Sequence, residues 1–501
     1  MPGVHRGTIT GVRLIRQCSL YLVLLSLFAG ASSGTATGQG VDGAERVPCR
    51  FTAAASATGS SPGLILGAEV LLPEGSRPDY GVHIRLNGGL GAVGEFDSVR
   101  SALPDAAVLD CRGAAVLSPG FVNAHEHPAY SYAFPDANLN SGYIHRDEWR
   151  LGTNGALQLP IPERLAYKPG DRRSAAILLA MELRHLLGGA TAIAGPGGLP
   201  GVIRNIDRHR GPGDIELYDY EADVEVFPFS FQVVEDLREE CAGGPVHRFA
   251  REAYDECTFM AYVPHVGEGR KASCAARAEV ARYLRHVQRR DRRYSLVHGV
   301  ATGREDYAVM REFDVTLVWS PRSNLALYGE TVGIADGLNS GVRIALSTDW
   351  SPSGSFNMRE EIKCARRVAG GALSSYTLWQ MSTVNGAYAL GLEDRLGVIK
   401  PGLRADLVLV GHDGGNPHDA VLTASHREVL AAWVDGRAIL LSETLPESLG
   451  AGQCAALDGM APRVCGALSA FGLSPATFAE HVEGSVPVND VSRQAPCEVL
   501  N

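Results

Sequence analysis

Lysine is nearly missing from this chain of 501 residues: only Lys168, Lys271, Lys363 and Lys400 occur, and the remaining basic side chains are arginines. Any chemistry that needs a lysine amine therefore has four positions to draw on. The cysteines never stand at C-x2-C spacing, which excludes a thiolate zinc knot. There is no basic stripe and the net charge is -10, so nucleic acid is not an expected partner. No internal repeat is visible. The apolar run from Leu20 to Ala31 is too short for a comfortable membrane span. What is present is globular in kind, 45% hydrophobic and 20% charged. The length exceeds one ordinary domain and suits a decorated barrel with a second domain.

Arg6, Arg13 and Arg16 precede the apolar run, and Ser32, Ser33 and Gly34 follow it. This is the layout of a secretory signal, with an uncleaved anchor as the alternative. Export, periplasmic or extracellular, permits disulfides. Without Cys18 there remain Cys49, Cys111, Cys241, Cys257, Cys274, Cys364, Cys454, Cys465 and Cys497, an odd number, so at least one is free or paired to another chain. Cys454 with Cys465, and Cys241 with Cys257, are near enough in sequence to bridge.

The most informative segment is VLSPGFVNAHEHP, residues 116–128. Side chains alternate along a strand, so His125 and His127 project to one side and offer half of a divalent metal site. Three further segments are apolar, strand-like and end in a polar residue able to bind metal or move protons. CTFMAYVPHVGEG delivers His265 and Glu268, YSLVHGVA delivers His298, and GVRIALSTDWSPSGS delivers Asp349. Each alone is more often a hydrogen-bonded strand cap than a ligand. Ordered strands that each end in a functional group are what a parallel barrel presents at its C-terminal mouth.

Short apolar runs with turn signals fill residues 62 to 115 and suggest a small antiparallel sheet. A matching set returns at 396–411 and 428–441, and the two ends are expected to pair in space and bracket the barrel. Between them helical patterns alternate with apolar strands, as parallel βα units do. Residues 446–501 carry three cysteines and little periodicity, the look of a stapled tail.

With these motifs the chain resembles the amidohydrolase superfamily, metal-dependent hydrolases built on a (β/α)8 barrel, over roughly residues 62–445. PGFVNAHEH resembles the family's first-strand metal motif, GGATAIAG (188–195) the third strand, PHVGEG the fifth-strand His-x-x-Glu and LVHG the sixth-strand His. SPRSNLALYG (320–329) resembles the seventh-strand stretch, LSTDW the eighth-strand Asp, and residues 382–410 the closing signature. The branch it is most similar to holds cytosine deaminase, the triazine hydrolases and the adenosylhomocysteine/methylthioadenosine deaminases. The implied fold is α/β, a (β/α)8 TIM barrel with a small composite β-sandwich formed from N- and C-terminal segments. The implied organisation is a signal at 1–33, a flexible lead-in at 34–61, the β-sandwich at 62–118 and 400–445, the barrel at 119–399 and the tail at 446–501.

Binuclear members of the superfamily bridge two metals with a carboxylated lysine on the fourth strand. That strand is expected near 215–231, which holds no lysine, so one metal is favoured; a carboxylate bridge from Asp219, Glu221 or Asp223 is the minor alternative. The resemblance implies that His125, His127, His265 and Asp349 hold one divalent ion, zinc ahead of iron(II), and that the ion activates water. It implies that Asp349 accepts the water's proton, that His298 contacts the water or the developing oxyanion, and that Glu268 shuttles a proton to a substrate nitrogen. The implied reaction is hydrolysis of a non-peptide carbon–nitrogen bond of a small molecule, in its sharper form deamination of a heterocycle, cyclic amide or amidine. Ring-opening of a lactam or cyclic imide is the rival within enzymes, and an exported binding protein on a retired barrel the rival outside them. Tyr143, His145, Arg146, Arg322, Asn324 and Trp350 are the substrate-binding candidates, although the loop residues serve equally well as surface packing. His185, in a helical pattern, reads as structural. A homo-oligomer is left open.

Overall fold

The computed structural model describes residues 49–54, 63–139, 142–206, 222–226, 228–245, 261–287 and 293–498. The signal and most of the lead-in lie outside these, as do Asp219, Glu221 and Cys257 and the side chain of Asp223. Among the described residues no helix is long and apolar enough to cross a membrane.

Eight short parallel strands follow one another through the middle of the chain. Phe121–Asn123, Ala190–Ile193 and Arg204–Asn205 form one ladder. Ala222–Val226, Ala261–Val266, Arg293–His298, Thr316–Trp319 and Ile344–Leu346 form a second. Beyond their ends the first and last strands meet: Asp349 N donates to His125 O at 3.2 Å and His127 N to Asp349 O at 2.9 Å. The interior is lined by small apolar side chains, among them Val122, Ala192, Val263, Val297, Val318 and Ala345. Helices lie between Phe121–Asn123 and Ala190–Ile193 and in each connection from Ala222–Val226 onward, while residues 194–203 join the second and third strands without one. Arg172–Leu187 begins at Asp171, whose Oδ1 accepts from Arg173 N at 3.1 Å and Ser174 N at 3.2 Å. It precedes the GGATAIAG strand, which pairs directly with Phe121–Asn123 and is thus second among the described strands, not third. The stretch between the first strand and this helix is a long excursion that holds the short helix Arg146–Leu151 and, among its described residues, adds no barrel strand of its own.

Segments from both ends of the chain build a sheet of eleven strands. The junction is Ala115–Pro119 antiparallel to Leu407–Gly411, with Leu409 opposite Leu117. The sheet is mixed, where an antiparallel one is expected from sequence. Leu64–Leu72 runs parallel to Ala107–Asp110 and to Ala115–Pro119, because the helix Phe96–Ala102 carries the chain back before the return strand. The sheet also extends past residue 445. Pro462–Cys465 pairs with Arg437–Ser442 and with Cys454–Ala455, so the tail adds two strands too short to show alternation.

Four disulfides occur among the described residues: Cys49–Cys111, Cys241–Cys274, Cys364–Cys497 and Cys454–Cys465. The Cys454–Cys465 expectation matches, whereas Cys241 bridges to Cys274 and not to Cys257. Cys241 closes the helix Phe231–Cys241 and Cys274 opens the helix Cys274–Val287, so neighbouring helices bring together residues 33 apart in sequence.

Barrel and sheet are joined by a buried ion pair. Arg204 Nε and Nη2 meet the Asp406 carboxylate at 2.9 and 2.8 Å, and Nη2 also reaches Asp435 at 3.0 Å. Removing Asp406 takes the two-pronged carboxylate partner away from a buried guanidinium. Asp406→Ala is therefore expected to lower unfolding stability by about 3 kcal/mol, read from the shift of the urea midpoint at unchanged slope.

Candidate metal centre and active site

The strand ends bring four histidines and two carboxylates together at one mouth of the barrel. His125 and His127 follow the first strand, and their Nε2 atoms lie 3.1 Å apart. Asp349 Oδ1 stands 3.4 Å from His125 Nε2 and 3.3 Å from His127 Nε2. The His265 ring lies 4.6 Å from that of His125 and 5.6 Å from that of His127, centre to centre. His298 lies 5.3 Å from His265 on the same measure. Ligand atoms of His125, His127 and His265 fall within 4.8 Å of one another, and so do those of His125, His298 and Asp349.

Electrostatics suits a cation. Burial lowers His125 to about 4 and His265 well below the ordinary imidazole value, so both rings are neutral with lone pairs available. Burial on its own would raise the Asp349 carboxyl, but hydrogen bonds with His125 and His127 outweigh it and hold it well below the usual carboxylate range. Nδ1 of His125 is buried with no hydrogen-bond partner among the described residues. Neutral imidazoles facing one ionised carboxylate are the donor set that zinc and similar divalent ions take. His298 and Asp349 also stand at φ 68° and 65°, left-handed backbone that non-glycine residues rarely adopt. Strain of about 1–3 kcal/mol at each such residue is tolerated where the surroundings impose it, as they do at functional sites.

A second layer fixes these side chains. The helix Pro321–Tyr328 starts directly after the seventh strand, and its first turn supplies two partners. Asn324 Oδ1 pairs with His298 Nδ1 at 3.1 Å, and Ser323 Oγ donates to Asp349 Oδ2. Ser353 Oγ is 2.7 Å from Ser323 Oγ and receives the indole N–H of Trp350. Glu126, between the two first-strand histidines, accepts from the Ser131 and Thr348 hydroxyls and from Asn123 Nδ2 at 3.2 Å. Burial raises its carboxyl to about 7 against those hydrogen bonds. His185 Nε2 stands 3.5 Å from Glu126, which gives this helical histidine a place beneath the ligands. Glu268 lies 3.8 Å from His298 Nε2 and accepts from the Tyr328 hydroxyl at 2.8 Å.

The substrate-binding candidates divide. Trp350 remains at the site, its ring 5.9 Å from His127 and 5.7 Å from Trp149. Asn324 serves His298. Tyr143 packs in the same apolar cluster as Trp149, Tyr328 and Trp350, and its hydroxyl donates to Leu157 O at 2.8 Å. His145 and Arg146 do not form an anion clamp: His145 Nε2 is 3.2 Å from Glu279, and Arg146 reaches Glu279 at 2.8 Å and Phe229 O at 2.7 Å. Arg322 donates to Ser355 Oγ at 2.6 Å and to the Ala495 and Glu360 carbonyls. The reason is the same for both arginines, since a buried guanidinium must be paired within the protein. Tyr328 is the contact that sequence alone gives no reason to expect; it merely closes the PRSNLALYG run.

Comparisons with known proteins agree with this geometry. The amidohydrolase family model matches residues 252–439. Over 163 residues the chain is 33% identical to a 5-methylthioadenosine/S-adenosylhomocysteine deaminase of Teredinibacter turnerae, an alignment covering 30% of this chain and 37% of the relative. A protein of the same name from Thermococcus onnurineus is 31% identical over 166 residues, covering 30% of this chain and 38% of the relative. The chain thus spans under two-fifths of the length of the curated relatives it matches. Among solved structures, a zinc-bound adenosine deaminase of Xanthomonas campestris superposes with a TM-score of 0.54 at 21% identity, covering 77% of this chain and 94% of that one. The zinc complex of atrazine chlorohydrolase TrzN from Arthrobacter aurescens gives 0.54 at 18%, covering 76% and 96%. At such identities the likeness is one of fold. The family resemblance read from the motifs and the α/β barrel fold are borne out by these matches.

The Glu279 pair yields a pH dependence. Burial would raise this carboxyl, but Arg146 and His145 hold it at about 2 against an ordinary 4.5. A depressed folded-state pKa contributes stability above 4.5 that is lost as pH falls toward 2. The gap in unfolding free energy between wild type and Glu279→Gln is expected to be widest at neutral pH and to narrow steadily below pH 4.5, as measured by denaturant titration across that range.

Proposed function

We propose that this protein is a metal-dependent hydrolase that deaminates a small cyclic amidine or aminated heterocycle by adding water to an sp2 carbon. The observation that carries the reading is the convergence of neutral His125 and His265, together with His127, on an ionised Asp349, with Glu268 and His298 beside them. His125, His127, His265 and Asp349 would hold one divalent ion, with zinc favoured because solved structures of the same fold contain it. Such an ion supplies a water acidified from about 15.7 toward neutrality.

The chain's own groups supply the rest. Asp349, fixed through Oδ2 by Ser323, takes the proton of the attacking water. His298, oriented by Asn324, hydrogen-bonds the oxygen as it adds to carbon. Glu268 passes a proton to the departing nitrogen, the remaining hydroxyl proton moves to the ring nitrogen and the proton taken by Asp349 restores Glu268, so the C–N bond breaks, ammonia leaves and the carbon keeps the water's oxygen as a carbonyl. The site residues are almost wholly buried, which strengthens each of these interactions and keeps bulk water away. Trp350 beside His127, with Trp149 against it, offers aromatic rings suited to a planar ligand. We further propose that the protein is exported, a reading supported by the basic-then-apolar order of Arg6, Arg13, Arg16 and the run from Leu20 and by four disulfides.

Purified protein loaded with zinc is expected to release ammonia from one or more members of a heterocycle panel. Asp349→Ala should lose the ion by metal analysis and lose activity with it. Glu268→Gln should keep the ion while turnover falls by about 10²–10⁴. A new carboxylate without ammonia would identify ring-opening instead, and ligand binding undiminished in metal-free Asp349→Ala would identify a binding protein.

A further inference from the structure

We propose that Tyr328, itself held by Trp149, is a positioning residue for Glu268, so that the loop helix Arg146–Leu151 sets the orientation of the proton donor. This rests on the function proposed above. Tyr328 is fully buried at the end of its helix, accepts from Trp149 Nε1 at 2.9 Å and donates to Glu268 Oε1 at 2.8 Å. The direction of the relay follows from the groups: an indole N–H can only donate, which leaves the single phenolic proton for the carboxylate. Burial raises the Tyr328 hydroxyl well above its ordinary value, so that proton stays in place.

The relay distinguishes the two oxygens of Glu268. Oε1 receives Tyr328 and lies near His298, whereas Oε2 is buried with no hydrogen-bond partner among the described residues. An unpartnered buried carboxylate oxygen costs stability, and in this site it is the atom free to meet a substrate nitrogen. The terminal torsion of a glutamate is broad and two-fold. Without the phenol, either oxygen can face the substrate and the chain can swing away from it. The loop helix grips the acid a second time through its backbone, since Arg146 N donates to Glu268 O at 3.1 Å. Trp149 also lies against Trp350, which in turn faces His127. One short helix thus touches the acid's main chain, its side chain through Tyr328, and the aromatic wall beside a metal ligand.

Tyr328→Phe removes one hydroxyl and keeps the ring, so core packing is retained. With any substrate that yields ammonia, its kcat is expected to fall about tenfold with KM within about twofold, and Trp149→Phe to fall by about threefold. Combined with Glu268→Gln, Tyr328→Phe should add no further loss, because it acts through the group already removed. Wild-type kcat in Tyr328→Phe, or additive losses in the pair, overturns the proposal. A readout independent of turnover is the infrared carboxylate band that Glu268→Gln deletes: it should shift in Tyr328→Phe, and an unshifted band also overturns the proposal. Full turnover in Glu268→Gln would sink the acid role assigned above, and the infrared band would then decide by itself whether Tyr328 holds Glu268.

Discussion

The structure depends on a seam. The first and last barrel strands meet beyond their ends through two backbone hydrogen bonds, Asp349 N to His125 O and His127 N to Asp349 O, and the same three residues carry ligand atoms. Closing the barrel and assembling the donor set are therefore one event. Burial strips His125 and His265 of charge, and hydrogen bonds with His125 and His127 keep Asp349 ionised. Polar side chains buried so closely together are costly to hold in a protein interior unless they are paired. The donor set persists because nearly every surrounding residue is committed to holding it.

That commitment shows in the second layer. Asn324 and Ser323 come from one helical turn and fix His298 and Asp349, which otherwise sit in unfavourable backbone conformations. Glu126 ties Asn123, Ser131 and Thr348 beneath the first-strand pair. Ligands held in single rotamers by packing and hydrogen bonds are what precise metal geometry requires.

Much of the site was legible in the sequence because a barrel strand announces itself as a brief apolar run, and its function follows at the C-terminal end. His125, His127, His265, His298 and Asp349 all obey that rule. Tyr328 does not, since it ends a helix and meets Glu268 only through the tertiary fold. Arg146 and Arg322 mislead for a related reason. Near the catalytic motifs in sequence they look like anion clamps, yet their partners Glu279 and Ala495 lie 133 and 173 residues away. The GGATAIAG strand is second and not third among the described barrel strands, because the long excursion before it passes for a βα unit. The mixed order of the outer sheet was hidden likewise, as alternation reports burial and not strand direction.

The far end of the chain belongs to the enclosure of the site. Ala495 packs in the cluster that holds Tyr328 and Trp350, its carbonyl receives Arg322, and two residues on Cys497 is bridged to Cys364. A nascent polypeptide therefore carries His125, His127, His265, Glu268, His298 and Asp349 well before it carries Ala495 and Cys497. The Cys364–Cys497 bridge that ties down this segment forms only where thiols are oxidised, so this part of the enclosure is fastened only in such a compartment.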